Sequence, residues 1–152
     1  MNYEKQAAEV LRELGINGLY KGCDFIISGM SFIHENAASY TPVTKILYPE
    51  IARQYNTSAS CVEKNIRKVI EMIWKDENNR EAIEKIFDTC YSSRRPSNLQ
   101  FLSTLYRHIE SREHIRQVYK MLKESVILTC PLSGRQCEVC NEILWMIIHK
   151  LY

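Results

Sequence analysis

A chain of 152 residues, 45% apolar and 25% charged, has the composition of one ordinary globular domain with at most a small appendage. That composition argues against intrinsic disorder, and such a length buries about two-thirds of the unfolded surface, so the core needs no metal or disulfide to hold it. A net charge of +2 and a pI near 8.2 are only mildly basic, so a nucleic-acid surface has to come from local clustering of cations.

The N-terminal stretch MNYEKQAAEVLREL carries charges throughout, and no segment has the apolar length of a signal peptide or a transmembrane helix. The expectation is a cytoplasmic protein that meets no membrane. Cys23, Cys61 and Cys90 fall in or beside helix-like segments, which predicts reduced thiols in that compartment.

Five glycines and four prolines punctuate the chain, strand-like alternation is missing, and apolar residues recur at spacings of three and four. The fold class is therefore all-α. A first helix is predicted from about Tyr3 to Leu14 with Ala7, Val10, Leu11 and Leu14 on one stripe, ended by Gly15 as a left-handed cap. A longer helix follows after Ile16–Lys21, with Phe25, Ile26, Met30, Ile33 and Ala37 in register and Gly29 where another helix could approach closely. His34 borders that stripe and reads as a boundary residue, not as a ligand or base.

Thr41-Pro42 is a helix start, and the turns beyond it carry Val43, Ile46 and Leu47; Pro49 either restarts that helix or begins a new one. From Pro49 to Trp74 the residues PEIARQYNTSASCVEKNIRKVIEMIW suggest a helix-turn-helix. Ile51 and Tyr55 can face the core, Ala52 lets two helices cross closely, and Asn56 tolerates the left-handed backbone of a tight turn. Ser60 with Glu63 forms a capping box that starts the second helix at Cys61, although Ser58 could cap one turn earlier.

On that second helix Val62, Ile66, Val69, Ile70 and Ile73 form the buried stripe, and Cys61, Lys64, Arg67, Lys68 and Lys75 stand opposite. Long donors near the N-terminal half of a helix are what a major groove requires, since they reach base edges and flanking phosphates. The plainer reading is a solvated face with a Glu63–Arg67 pair worth a few tenths of a kcal/mol. The Ala-x-x-x-Asn turn and the serine-rich cap favour DNA.

Beyond a polar break at Lys75–Asn79, Arg80 to Phe87 is a short helix with Ile83, Ile86 and Phe87 inward. CYSSRRPSN is a loop with two adjacent arginines, and Ser97 caps the helix holding Phe101, Leu102, Leu105 and Tyr106. A further helix is predicted around His114 to Val126, then CPLSGRQCEVC, then an apolar EILWMIIHKLY. Cys130, Cys137 and Cys140 stand as C-x6-C-x2-C, which is incomplete for zinc: His149 lies more than two helical turns beyond Cys140, so a fourth ligand would have to come from His108, His114 or another chain. They read as structural cysteines or, alternatively, as a metal or redox site, and no cofactor is expected. The last helix is apolar on more than one face and is either buried or held by a partner, which suggests a homodimer. No nucleophile–base arrangement, glycine-rich phosphate loop or carboxylate pair argues for an enzyme with a small-molecule substrate.

LRELGI near the start, YKG at Tyr20–Gly22, VTKILYPEIARQYNTSAS leading into CVEKNIRKVIEMIW, and RRPSN before FLSTL occur in one order and spacing. Over residues 8 to 108 they resemble the C-terminal effector domain of the sporulation initiation response regulator. The resemblance implies about six helices that read short boxes in double-stranded promoter DNA; residues 109 to 152 have no counterpart in it and form a C-terminal extension, helical by their own apolar spacing. Base-reading positions would fall on Cys61, Glu63, Lys64 and Arg67 of the helix from Ser60 to Trp74. Backbone contacts would come from Thr57, Ser58, Ser60 and Lys68, and from Arg94, Arg95 and Ser97 in the loop before the last family helix.

The family usually has arginine where this chain has Cys61 and Lys64. Lysine lacks arginine's bidentate fork and cysteine has no charge, which implies a different box or weaker binding. The family's phosphoacceptor receiver domain has no counterpart in these residues, so control by phosphorylation is not implied. The alternative function is an interaction or metal- and redox-sensing module acting through the cysteine tail.

Overall fold

The structure is a computed structural model and describes residues 3–16, 18–36, 43–87 and 95–125, together with 142, 143 and 146. Among the described residues the order comprises six α-helices and one 3-10 turn, with no strand. The helices are α1 (Tyr3–Glu13), α2 (Lys21–Glu35), α3 (Val43–Gln54), α4 (Ala59–Lys75), α5 (Arg80–Phe87) and α6 (Asn98–Ser125), with the 3-10 turn Glu77–Asn79 between α4 and α5. The chain divides into two compact units, residues 1–111 and 112–152.

In the first unit α2 packs against α1, α3 and α4, and α4 also packs against α3. Ala7, Val10 and Leu11 of α1, Phe25, Ile26 and Met30 of α2, Leu47 and Ile51 of α3 and the apolar stripe of α4 share one core with Phe101, Leu102, Leu105 and Ile109 of α6. Trp74, Phe87 and Phe101 close its far end, with Trp74 edge-on to Phe87 at 5.1 Å and Phe87 stacked on Phe101 at 5.3 Å. Ile83, Ile86 and Phe87 of α5 are buried, as the periodicity predicts.

Two helices end in the same way. After α1 the Gly15 amide donates to Arg12 O and the Ile16 amide to Leu11 O, both at 3.0 Å, with Gly15 at φ +77°. After α3 the Asn56 amide donates to Arg53 O at 3.4 Å and the Thr57 amide to Ala52 O at 2.9 Å, with Asn56 at φ +50°. Each is a Schellman closure, in which one left-handed residue lets two amides satisfy carbonyls that the helix end leaves open.

Pro49 neither breaks nor restarts its helix: α3 runs through it. Proline inside a helix costs about 3 kcal/mol through a lost hydrogen bond and a ring clash. Here Pro49 is exposed, while Leu47 and Ile51 on either side are fully buried and contribute about 1.5–3 kcal/mol each.

The close approach expected at Gly29 occurs instead at Gly22. A Cβ at Gly29 would make only ordinary contacts with Ile51 and Leu47. At Gly22 it would collide with the Asn65 carbonyl oxygen and come within 2.7 Å of Val69 Cγ2, so it is at Gly22 that α2 and the backbone of α4 meet. Tyr55 does not sink into the core. It is 39% exposed, sets its ring edge-on to Phe25 at 5.1 Å, and shares a 2.7 Å hydrogen bond with Ser28 Oγ. His34 stacks on Tyr3 at 3.9 Å and lies beside Tyr106, at the rim where α1, α2 and α6 meet.

The segment predicted as a separate helix from His114 belongs to α6, one helix of 28 residues. In the second unit its described residues include Ile115, Val118 and Met121, all exposed. Ala37, Cys90, Arg94, Cys130, Cys137, Cys140 and His149 lie outside the described residues. No described helix is long and apolar enough to cross a membrane.

Candidate nucleic-acid interface

The turn between α3 and α4 is built from short-range chemistry. Asn56 closes α3, and Ser58, in extended backbone at φ −98° and ψ 150°, opens α4 by accepting from the Cys61 amide at 3.1 Å. This corrects the expected cap: the helix starts at Ala59, two residues before Cys61, and Ser60 already lies inside it. The capping box with Glu63 therefore does not form. Instead Glu63 lies 4.0 Å from Arg67, one turn along the helix. Ser60 is exposed.

Packing then sets which way α4 faces. Val62, Ile66, Val69, Ile70 and Ile73 are buried, so at 100° per residue Ser60, Lys64, Arg67, Lys68, Glu71 and Lys75 occupy the outward arc. Lys64 is near its centre. Four cations (Lys64, Arg67, Lys68, Lys75) face two carboxylates (Glu63, Glu71) along the helix. Lys64 and Lys68 are exposed and have no ion-pair partner among the described residues. The positive end of the α4 dipole lies at Ser58–Ser60 and adds to the attraction for an anion.

Cys61 sits at the edge of this arc. It is half-buried, and Asn65 Nδ2 donates both to its carbonyl (2.8 Å) and to its Sγ (3.3 Å), which turns the thiol along the helix and away from its outer face. Glu63 flanks the arc on the other side. Thr57 is half-buried and its amide is used in closing α3. The expected base-reading set thus divides: Lys64 and Arg67 face outward, while Cys61 and Glu63 lie at the flanks.

Before α6, Ser97 and Gln100 cap each other. The Ser97 amide donates to Gln100 Oε1 at 2.9 Å and the Gln100 amide to Ser97 Oγ at 3.3 Å, while the Ser97 hydroxyl also donates to Gln100 Oε1 at 3.0 Å. The expected cap is present, and it occupies the hydroxyl and amide through which Ser97 would contact a phosphate. Arg95 is likewise engaged: its guanidinium lies 2.8 Å from Glu71 Oε1 on α4.

Sequence reasoning missed the residues that brace α4. Asn98 is buried, and its Nδ2 donates to the Glu63 carbonyl at 3.0 Å, joining the start of α6 to the first turns of α4. Tyr48 of α3 lies beside it; burial pushes its phenol above the ordinary range, with the Asn98 hydrogen bond and the Arg67 charge acting the other way. Asn79, also buried, donates to Ile73 O at 3.3 Å and lies against Gly15. No periodicity marks an asparagine whose partner is a carbonyl 35 residues away.

Among the described residues no group of three His, Cys, Asp or Glu side chains could hold a metal ion. Described Cys23 and Cys61 are free thiols, and burial pushes the Cys23 thiol up.

Residues 7–109 match the family described as sporulation initiation factor Spo0A C terminal. The match runs from within α1 to the proximal part of α6, includes the helix-turn-helix, and stops before the cysteine tail. A helix-turn-helix with a braced second helix and an outward cationic arc agrees with that match, and the chain belongs to this family, that of the DNA-binding effector domain of a sporulation regulator.

Proposed function

We propose that this protein reads short promoter boxes in double-stranded DNA through α4, as a transcriptional regulator. The supporting observation is the outward arc of α4, where Lys64 and Lys68 stand exposed with no ion-pair partner among the described residues, on a helix held from behind by Gly22, Asn98 and the α3–α4 turn. A second helix fixed this firmly can enter a major groove with its side chains already placed.

Lys64 and Arg67 are the base-reading residues, with Glu63 at one flank of the reading face and the Cys61 thiol, turned along the helix, at the other. Lys68, Ser60, Thr57 and Ser58 follow the phosphate backbone together with Arg94 and Arg95, and Ser97 joins them once its hydroxyl leaves Gln100 for a phosphate. Arg67 exchanges its contact with Glu63 for an acceptor on DNA, a small cost because exposed pairs of this kind are worth about 0.3–0.5 kcal/mol. Lysine at position 64 donates to guanine from a single ammonium, so discrimination there is weaker than an arginine fork provides.

The protein also acts as a homodimer on repeated boxes, where tethering two copies raises the effective concentration of the second. The exposed Ile115, Val118 and Met121 of α6 support this reading. Sedimentation should show a dimer that Val118→Glu converts to monomer; a monomer for the parent chain would count against it.

The decisive experiment is selection of binding sites from random DNA, followed by titration of the recovered duplex. Lys64→Ala/Arg67→Ala should lose about 2–4 kcal/mol of specific binding while keeping parental helicity and melting temperature. Equal affinity of parent and variant for the selected duplex would overturn the reading.

A further inference from the structure

Glu71 stands on the outward arc of α4 between Lys68 and Lys75, where an approaching phosphate backbone would meet a carboxylate. It is not alone there. Arg95 Nη1 lies 2.8 Å from Glu71 Oε1, with the two side chains 38% and 33% exposed, so both remain open to solvent and to a ligand. Arg95 reaches α4 from two residues before Ser97, whose reciprocal cap with Gln100 fixes the start of α6. The guanidinium itself is held by Glu71 alone among the described residues, at the edge of the surface on which Lys64 and Lys68 stand.

We infer that Glu71 competes with DNA phosphate for Arg95, and that this pair sets how tightly the protein binds DNA at a given salt concentration. The inference rests on the DNA-binding reading of α4. A guanidinium in a solvent-open pair can exchange a carboxylate for a phosphate, since both accept its paired N–H donors and the exchange requires little movement. The exchange leaves Glu71 as an unpaired negative charge facing DNA, so the gain from the new phosphate contact is offset by repulsion. Glu71 thus acts as a restraint on a contact that does not depend on sequence, and it favours box-specific contacts over general adhesion to DNA.

The test uses the full chain, the duplex that the parent selects from random DNA, and a scrambled duplex of the same length. Glu71→Gln keeps the shape of the side chain and removes its charge. It should bind both duplexes about three- to tenfold more tightly at 0.1 M salt, and its slope of log affinity against log salt should be steeper by about 0.9, the value of one added phosphate contact. The ratio of selected to scrambled affinity should stay level or fall.

In an Arg95→Ala background the same substitution should no longer steepen the slope, because no guanidinium remains to be released. An unchanged slope for Glu71→Gln, or the same steepening with and without Arg95, would overturn the inference while leaving DNA binding by the parent intact. Failure of the parent to bind either duplex would overturn the DNA-binding reading and this inference with it.

Discussion

The two faces of α4 differ in almost every physical respect although they share one backbone. Inward, Val62, Ile66, Val69, Ile70 and Ile73 are all within 1% of full burial, and each contributes about 1.5–3 kcal/mol by leaving water. Outward, Lys64 and Lys68 are exposed and have no ion-pair partner among the described residues, so they add little to the stability of the fold. Adjacent residues such as Lys68 and Val69 therefore serve different ends, because 100° of rotation separates solvent from core. The inner face gives the outer one a fixed position, and the outer face is free to carry charge because it is not needed for packing.

Substitutions on the inner face should change stability before anything else. Ile66→Ala should cost about 3–4 kcal/mol in urea unfolding, with DNA affinity falling only as far as the folded fraction falls. A variant that kept parental stability would show that the core face of α4 is not what holds the helix. Gly22→Ala should cost about 2 kcal/mol, since the added methyl meets the backbone of α4 at Asn65 and has no flexible side chain to push aside. If instead it stabilised the protein, as a glycine-to-alanine change in an open helix does, α2 and α4 would have to lie further apart.

The smallest expected effect belongs to the boundary between the faces. Ser58→Ala removes the cap on the Cys61 amide and should cost about 1 kcal/mol, read by thermal unfolding, with a parallel loss of DNA affinity as the first turn of α4 frays. Ser60→Ala should leave stability within about 0.5 kcal/mol of the parent, because Ser60 lies within the helix and does not cap it. Equal losses for the two serines would mean that either can cap and that the start of α4 is not unique.

The amino-acid sequence by itself determined the all-α class, the stripe that α4 turns inward, the short α5 with its three inward residues and the left-handed residues Gly15 and Asn56. These follow from spacing and from the backbone preferences of single residues, which act over a few positions. The family resemblance was also legible, because TKILYPEIARQYNTSAS is a long and specific run of side chains.

Tertiary structure decided where local signals competed or where partners were distant. Ser58 and Ser60 are both good caps, and only the packing of α4 on α2 and α3 placed the first of them in extended backbone and the second within the helix. Pro49 carries a local signal to stop, which burial of Leu47 and Ile51 overrides. Gly22 and Gly29 look alike in sequence, and the path of the α4 backbone selects Gly22. The Asn98–Glu63 and Arg95–Glu71 contacts join residues far apart along the chain, and it is burial of the apolar faces of α4 and α6 in one core that brings them together.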